Sequence, residues 1–323
     1  MKKLWKQLRY VLYLLGGVAV LIEVAYRYQW IDFYRVELES LNQQKGERKP
    51  NVLIFGDSFG AQQEGYIDQL RDSSSFHTIV NTSVPGTGAI QASYMAKRRL
   101  GEFKPEIVVF QVYVGNDLLD IHYPVNWNEL PWLRNVYWTV AQRLRCLAFF
   151  NYKFGQLSQV LDQASLESTH SKTIDSFSVD QYSDRVKLYI KSDPQYLKRM
   201  IELDEEYKVV MEQVLKKYDD IIARLDEGVD YYFLVVPHCV QVNQGYISRY
   251  EKLGAQFDDD ALTDRFTLAF EKRYGSERVI DALAKLRELE KNGTMCYYVN
   301  DPHMTMAGHK VLMESLRDKI EGL

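Results

Sequence analysis

The sequence predicts an α/β protein of three layers. A mainly parallel sheet of five strands lies between helices, with a helical insertion and an N-terminal transmembrane helix. Two observations predict this class. Five short runs of apolar and β-branched residues alternate with stretches of helical periodicity, and strands that read as continuous apolar runs are typical of a parallel sheet covered on both faces. In addition, a basic segment and a long apolar run set the first 30 residues apart from the rest.

The composition is that of an ordinary globular protein. The 323 residues are 46% hydrophobic and 26% charged, with a net charge of -4. This length can bury a full core in one large domain, and the charge supplies no broad cationic surface for nucleic acid. Cys146, Cys239 and Cys296 are far apart and lack C-x-x-C spacing, so we expect buried thiols rather than a zinc or redox site.

The N-terminal segment has the features of a membrane anchor. Basic residues precede an apolar run from Tyr10 to Ile22, and aromatic residues flank the region as far as Trp30. Glu23 lies four residues before Arg27, a spacing at which a helix pairs the two charges. Because about 20 residues cross the hydrocarbon core as a helix, a span from about Tyr10 to Trp30 is feasible.

Residues 1–30 are therefore predicted to be a cytoplasmic N-terminus followed by a single-pass anchor. The alternative is a cleaved signal peptide, but its small-residue site at Gly17 to Ala19 leaves too short an apolar region before the cut. The basic excess before the span places the N-terminus in the cytoplasm. Everything after Trp30 is then expected on the extracytoplasmic side, periplasmic or extracellular.

The remaining chain divides into a tether and a main domain. Residues 31–50 are polar and end in a proline, which favours a tether. Residues 51–323 hold the predicted sheet. Within them, residues of about 120–195 lack a strand and are rich in aromatic side chains, which indicates a helical insertion. These aromatics either form a lid that meets sugars or the membrane, or pack the insertion onto the body; we expect packing.

The predicted strands are short apolar runs bounded by turn residues. They cover residues 51–55, 78–81, 107–113, 231–236 and 296–299. Helical periodicity covers residues 89–100, 195–225, 279–290 and 307–320, and Gly228 is placed to end the second of these helices. Ligands of parallel sheets bind beyond the carboxyl ends of the strands. The residues that follow each strand are therefore the candidates for a site.

Several of those residues suit acyl chemistry. Ser58 follows the first predicted strand, Asn116 the third, and Asp301 and His303 the last. A serine hydroxyl needs a base to take its proton, and that base needs a third group to fix its tautomer. Ser58, His303 and Asp301 fit these roles, and Gly86 would let the main chain approach a substrate closely.

Four blocks around these positions resemble the sequence blocks of the SGNH (GDSL-like) hydrolases. They occur in the family's order and span residues 56–309, and their combination is specific although each block is short. The blocks are Gly56-Asp57-Ser58-Phe59, Asn81 to Gly88, Val114 to Asp117, and Asp301 to His309.

The resemblance implies a flavodoxin-like (SGNH) fold and a serine esterase or acyltransferase. It implies Ser58 as nucleophile, His303 as general base and Asp301 as the carboxylate that orients the base. The main-chain N–H groups of Ser58 and Gly86 and the side-chain amide of Asn116 would form the oxyanion hole, where one lost donor costs about 2.7–4 kcal/mol. No metal and no organic cofactor is required, because a side-chain base activates the nucleophile.

The last block departs from the family's usual pattern. Its spacing is D-x-H rather than D-x-x-H, a form similar to a membrane-anchored bacterial subset that acts in exopolysaccharide O-acetylation. With the longer spacing, Asn300 would stand in the acid position. Gly60 stands where many members of the family have serine or threonine. Thr305 stands where many of them have asparagine. Asp57 is expected to brace the turn rather than to react.

Two short motifs in the sequence also fit other families, and one further histidine follows a predicted strand. Gly56 to Gly60 also fits G-x-S-x-G, but the nucleophile elbow of α/β-hydrolases follows several strands, and here only an anchor and a tether precede it. Gly86 to Gly88 is similar to a dinucleotide loop, but Gln91 stands at the third glycine position. His238 follows the fourth predicted strand, where it either touches substrate or is a capped loop histidine; we expect the capped loop histidine.

The sequence thus predicts an ester hydrolase or an O-acyl transferase, with acetyl as the expected acyl group. It would act on an exported or cell-envelope glycan through an acyl-Ser58 intermediate. An acylated glycan or another ester is the expected substrate, and a membrane-bound acyltransferase or a polysaccharide-export protein is a candidate partner. Two alternatives stay open: a non-catalytic glycan-binding or assembly factor on the same fold, and a lipase- or thioesterase-type enzyme.

Overall fold

A five-stranded parallel sheet forms the centre of the protein in the computed structural model, which describes residues 2–42, 51–73, 78–154, 176–257 and 262–322. The strand order is β2-β1-β3-β4-β5, as in flavodoxin-like folds, and every adjacent pair is parallel. The predicted fold class is confirmed. The strands are β1 (Val52–Phe55), β2 (Ile79–Asn81), β3 (Ile107–Tyr113), β4 (Asp230–Val236) and β5 (Val279–Asp281).

Helices pack in two separate groups, one on each face of the sheet. One group contains α5, α6 and α11, and the other contains α4, α15 and α16. All residues of β1 and β3 are buried between them, which explains why these strands show no apolar–polar alternation. The helices are α1 (Lys2–Arg27), α2 (Arg35–Leu41), α3 (Ser58–Ala61), α4 (Tyr66–Ser73), α5 (Ala89–Phe103), α6 (Asp117–Ile121), α7 (Trp132–Ala141), α8 (Cys146–Phe154), α9 (Asp184–Ser192), α10 (Tyr196–Glu202), α11 (Glu205–Ile222), α12 (Cys239–Val242), α13 (Gln244–Lys252), α14 (Arg265–Tyr274), α15 (Leu283–Lys291) and α16 (Met306–Glu321).

The prediction of the fifth strand is wrong. Residues 296–299 are not part of the sheet; Tyr297 makes only an isolated antiparallel bridge to Met304. The fifth strand is β5, in residues that helical periodicity had assigned to a helix. Pairing with β4 makes Val279 and Ile280 extended, a tertiary effect that outweighs local pattern. Residues 296–297 are apolar because they are buried, not because they form a strand.

The long helix predicted for residues 195–225 is in fact two helices. α10 ends at Leu203, which has a left-handed φ of 49°. The side chain of Asp204 then caps α11 by accepting a hydrogen bond from the main-chain N–H of Tyr207, as aspartate commonly does at this position. Gly228, with φ of 86°, lies in the turn before β4 and does not end the helix.

The N-terminal helix α1 is long and apolar enough to cross a membrane. The candidate span is Trp5–Arg27. Its most apolar stretch of 18 residues has a mean hydropathy of 1.8, and 6% of that stretch is buried. The helix ends at Arg27, three residues before the predicted end at Trp30. As expected from their spacing, Arg27 Nε donates a hydrogen bond to Glu23 Oε1 at 2.5 Å. By length and composition alone, α1 fits an anchor or a signal sequence.

Within the predicted tether, residues 35–41 form the helix α2. Tyr34 and Leu38 are buried, and the buried Arg99 donates two hydrogen bonds to the carboxylate of Asp32, at 2.7 and 2.8 Å. Residues 31–50 are polar in composition, but Tyr34 and Leu38 lie four residues apart and are both buried on one face. The remainder of the predicted tether, residues 43–50, lies outside the described residues.

The described parts of the insertion are helical and contain α7, α8 and α9. The expectation that its aromatics pack onto the body holds for some of them. Trp138 is 4% exposed and belongs to the main hydrophobic core, whereas Trp127, Trp132 and Phe154 are exposed. All three cysteines are buried free thiols, as expected.

Candidate active site

Ser58 lies at the carboxyl edge of the sheet, on a sharp turn between β1 and α3. Asp57 precedes the helix and accepts a hydrogen bond from the Phe59 main-chain N–H at 2.9 Å through Oδ1. The main-chain N–H of Asp57 donates to Gln111 Oε1 on the neighbouring strand, at 3.1 Å. Asp57 thus braces the turn, as expected, and Ser58 is the first residue of α3.

Three of the predicted site residues form one hydrogen-bonded chain. His303 Nε2 is 2.8 Å from Ser58 Oγ, and His303 Nδ1 is 2.5 Å from Asp301 Oδ1. Asp301 is 3% exposed, and its Oδ1 also accepts the main-chain N–H of His303 at 2.9 Å. With Nδ1–H directed to Asp301, Nε2 is the acceptor for the serine proton.

The segment that carries His303 is a loop held at both ends. The Tyr298 main-chain N–H donates to His303 O at 3.0 Å, and the Thr305 N–H donates to Cys296 O at 2.9 Å. Thr305 also caps α16 by accepting from the Gly308 N–H. The threonine at this position therefore serves as a helix cap.

Asn300 does not contact His303 through any hydrogen bond within the described residues. It is 1% exposed, its Nδ2 donates to Ser176 O at 3.0 Å, and its Oδ1 accepts the Ser178 N–H at 2.8 Å. Asn300 therefore fastens the returning end of the insertion, and Asp301 is the acidic side chain next to the imidazole.

The predicted oxyanion donors lie on two loops at the same edge. Gly86 has a φ of 69°, a left-handed conformation that favours glycine. Asn116 precedes α6 but its side chain makes no capping hydrogen bond, although asparagine often caps in this position. Among the described residues, no hydrogen bond from the Ser58 or Gly86 main-chain N–H to another protein atom is present. These donors are thus uncommitted.

Gly60 is explained by close packing against the second block. A Cβ atom at Gly60 would lie 2.1 Å from Ser83 Oγ and 2.9 Å from Ser83 Cβ, and one at Gly56 would lie 2.7 Å from the same hydroxyl. Ser83 is fully buried, so it has no room to move aside. The Ser83 hydroxyl therefore fills the space that a side chain at Gly60 would need.

A group of buried carboxylates lies beneath the nucleophile. Burial raises the pKa of Asp57 to about 6 and that of Asp120 to about 7. Burial, together with the charges of Asp57 and Asp120, raises the pKa of Asp117 as well. A Cβ atom at Gly88 would lie 2.8 Å from Asp117 Oδ1 and 2.9 Å from Asp120 Oδ2, so this glycine leaves room for both carboxyl groups.

Sequence reasoning missed Arg185, which α9 brings from the insertion to the oxyanion loop. Its Nη1 would lie 3.7 Å from a Cβ atom at Gly86. The guanidinium is fixed by a 2.7 Å hydrogen bond from Nε to Tyr189 Oη and lies 3.8 Å from Asp120 Oδ1. No local pattern around Arg185 signals this contact, because it depends on how the insertion folds back.

The other two histidines of interest are structural. His238 is 2% exposed, caps α12 by accepting from the Val240 N–H, and lies 3.1 Å from Tyr250 Oη through Nε2. Burial lowers its pKa to about 3, so it stays neutral. His309 is fully buried and accepts from the Tyr66 N–H at 3.3 Å. His238 is therefore a structural residue held in a buried loop, where it caps α12.

A groove is lined in part by residues that adjoin Ser58, Gly86 and His303 in sequence, although these three are not themselves in its wall. Its volume is about 610 Å³, and Ala61, Pro85 and Met306 in its wall each lie within three residues of Ser58, Gly86 or His303. A larger cavity of about 960 Å³ lies elsewhere, beside Arg27 and Tyr28. The rest of the groove wall is mainly polar: Glu37, Ser40, Leu41, Gln63, Glu64, Asp68, Gln69, Arg71, Asp72 and Tyr152.

Comparison with known proteins gives matches among solved structures alone. No family model and no curated protein matches the chain. A catalytic mutant of Axe2, an acetylxylan esterase of Geobacillus stearothermophilus, is similar at 11% identity and a TM-score of 0.39, over 86% of this chain and 96% of that one. A GDSL-family lipolytic protein of Veillonella parvula is similar at 10% identity and a TM-score of 0.41, over 84% and 98%.

A third similar structure is LAE5, an α/β hydrolase enzyme from the Lake Arreo metagenome, at 11% identity and a TM-score of 0.37, over 84% of this chain and 95% of that one. At these scores the likeness assigns no activity.

Proposed function

We propose that the protein is a serine-dependent ester hydrolase or O-acyl transferase that acts on a glycan at the extracytoplasmic surface of a membrane. The observation that carries the proposal is the hydrogen-bonded chain from Ser58 Oγ through His303 to Asp301, with distances of 2.8 and 2.5 Å. These are the contacts that a nucleophile, a base and an orienting carboxylate require.

The proposed first half-reaction forms an acyl-enzyme. Ser58 Oγ attacks the ester carbonyl while its proton moves to His303 Nε2, and Asp301 stabilises the imidazolium that results. The carbonyl oxygen becomes negatively charged and is bound by the Ser58 and Gly86 N–H groups and the Asn116 amide. When the tetrahedral intermediate collapses, His303 returns the proton to the departing alkoxide, and the acyl group stays on Ser58.

The second half-reaction decides between hydrolysis and transfer. His303 Nε2 takes a proton from water or from a sugar hydroxyl, and the oxygen of that group attacks acyl-Ser58. Water releases a carboxylic acid, whereas the sugar hydroxyl yields a new ester. Collapse of the intermediate breaks the bond to Ser58 Oγ, which recovers its proton from His303. The same side chains serve both outcomes.

The groove favours a glycan over a lipid or an acyl thioester. Its wall carries amides, a hydroxyl and carboxylates, which pair with sugar hydroxyl groups, and Tyr152 adds a half-exposed aromatic ring. A long acyl chain would need an apolar channel, and Leu41, Ala61, Pro85 and Met306 are too few apolar residues to line one. The helix α1 supports attachment to the membrane, with the basic N-terminal flank on the cytoplasmic side.

Substrate assays with the full-length chain test this proposal. We expect higher kcat/KM for O-acetylated oligosaccharides than for long-chain aryl esters or phospholipids, and labelling by a serine-directed fluorophosphonate. Tyr152→Ala should raise KM for an acetylated oligosaccharide without changing turnover of an aryl acetate. Phe154→Ala, at an exposed position of the same helix outside the groove, is the matched control and should change neither.

Each contrary result points to one alternative. Absence of both turnover and fluorophosphonate labelling would indicate a glycan-binding or assembly factor. Preference for phospholipids or long acyl chains would indicate a lipase- or thioesterase-type enzyme. Appearance of acyl-sugar in place of free acid, when an acceptor oligosaccharide is added, would identify transfer as the reaction.

A further inference from the structure

Helix α7 of the insertion has an exposed apolar face. Trp132, Val136 and Val140 are 66%, 38% and 36% exposed, and their spacing of four residues places them on one side of the helix. The opposite side, with Trp138 and Ala141, is buried. Trp127, just before the helix, is 58% exposed. A contiguous exposed apolar face marks an interaction surface.

The end of α7 is fastened to the last turn of α1. Arg27 Nη2 donates to Arg143 O at 2.6 Å. The two carboxylate oxygens of Glu23 accept the main-chain N–H groups of Arg145, at 2.9 Å, and Cys146, at 2.8 Å. The Glu23 side chain is only 8% exposed. These contacts fix α7 and α8 relative to the axis of α1.

The same contacts set the height of α7 relative to a membrane. At about 1.5 Å per residue, the apolar run of α1 from Tyr10 to Ile22 spans roughly 20 Å, most of the ~30 Å hydrocarbon core, and charged Arg9 and Glu23 flank it. Glu23, the next residue, then lies at the boundary between hydrocarbon and headgroups. Because Arg143 and Cys146 contact the last turn of α1, the end of α7 lies at this level too.

We propose that the α7 face formed by Trp132, Val136 and Val140 lies in the interfacial region of the lipid bilayer. This proposal rests on the membrane attachment proposed above, and its occupant is lipid, because the residues that directly follow α7 are hydrogen-bonded to the last turn of the membrane helix. Tryptophan favours this depth, and a helix lying in the interface buries its apolar side among the upper acyl chains. α1 and α7 together hold the domain at one fixed tilt.

This arrangement links the substrate groove to the membrane. α8 follows α7 directly and supplies Tyr152 to the groove, while α2 supplies Glu37. An ion pair between Lys153 and Glu37 joins the two helices. The groove wall therefore belongs to the part of the protein that contacts lipid, and the glycan is met at a fixed height above the bilayer.

Spin labels on the full-length protein in lipid nanodiscs test the proposal. Single cysteines would be introduced by Val136→Cys on α7, Val18→Cys on α1 and Leu268→Cys on α14, all at exposed positions. The three native thiols are buried and react poorly. Leu268 is the control, because α14 packs against β5, at the sheet edge opposite β2. Power saturation compares accessibility to oxygen, which concentrates in lipid, with accessibility to a water-soluble nickel complex.

We expect the labels at 18 and 136 to be accessible to oxygen and protected from nickel, with the label at 136 shallower, and the label at 268 to be fully accessible to nickel. A label at 136 as accessible to nickel as the label at 268, with the label at 18 still protected, would overturn the seating of α7 and leave the anchor intact. A water-exposed label at 18 would overturn both. Turnover of an aryl acetate by the same proteins reports separately on the proposed enzyme.

Discussion

The two segments that meet at the site, residues 56–60 and residues 300–305, are held in different ways. Residues 56–60 follow β1, an interior strand of the sheet, and Gly56 and Gly60 pack closely against Ser83. Residues 300–305 follow no strand and form a loop fastened by side-chain and main-chain hydrogen bonds, among them those of Asn300. A nucleophile on a rigid turn thus faces a base whose position depends on polar contacts.

The largest effect is expected at the base. Asp301→Asn should lower kcat on an aryl acetate by about 10⁴, because the amide can hold the wrong imidazole tautomer, as in a comparable serine triad. Asn300→Ala breaks the bonds to residues 176 and 178 instead, and should mainly lower the melting temperature. If Asn300→Ala lost activity while Asp301→Asn kept it, the acid would be assigned to the wrong residue.

A smaller effect is expected at the oxyanion hole. Asn116→Ala should lower kcat by about 10²–10³ with little change in KM, because one of three donors to the developing negative charge is lost. Since the Asn116 side chain caps no helix, the melting temperature should stay unchanged. An activity equal to that of the wild type would exclude the Asn116 amide from the oxyanion hole.

The packing of the first segment is tested by Gly60→Ala. The new Cβ would lie 2.1 Å from Ser83 Oγ, so we expect a loss of about 1–3 kcal/mol in the free energy of unfolding, with a fall in kcat as Ser58 shifts. Gly101→Ala is the matched control, since a Cβ there meets nothing within 4 Å and α5 should gain roughly 0.5–1 kcal/mol.

A second substitution identifies the clash at this position. Gly60→Ala combined with Ser83→Gly removes the opposing hydroxyl and should recover part of the lost activity and stability. Denaturant unfolding and aryl acetate turnover measure both. A Gly60→Ala variant as stable as the wild type would show that the first segment is not held by packing.

The smallest effect is a pH dependence of stability. Burial raises the pKa of Asp120 to about 7, so the folded protein holds this proton more tightly than the unfolded chain does, where the pKa is about 4. The contribution of this proton to the free energy of unfolding is complete below about pH 4 and is lost as the pH rises through about 7. Asp120→Asn should therefore flatten the decline of the melting temperature across this range.

The exposed Asp220→Asn is the control for Asp120 and should follow the wild-type profile. Identical profiles for the wild type and Asp120→Asn would mean that Asp120 keeps an ordinary pKa despite its burial.

Sequence reasoning reached the elements that show a local pattern. β1 and β3 are buried on both faces and read as apolar runs, and Ser58 follows directly from where β1 ends. Long-range contacts gave no such pattern. The three residues of β5 are extended only because β4 pairs with them, and Arg185 meets the Gly86 loop only when the insertion folds back.

The second site segment shows the same limit. Asp301 and His303 were predicted from the sequence motif, which depends only on the order and spacing of residues along the chain. The predicted strand before them was wrong, because a buried loop and a buried strand have the same apolar composition. Asn300 holds this loop through residues 176 and 178, which are distant in sequence. Thr305 holds it by capping the helix that follows directly.

The most direct measurement is to trap the acyl-enzyme. The full-length protein would be mixed with an aryl acetate, quenched in acid within its first turnovers, digested and mapped by mass spectrometry. We predict an acetyl group on Ser58 in the wild type and in His122→Ala, whose partly exposed histidine lies next to Glu206. We predict no acetylation of Ser58→Ala, and acetylation slowed by orders of magnitude in His303→Ala. Full turnover by Ser58→Ala, or an acetyl group on another residue that forms as fast as turnover, would contradict the account.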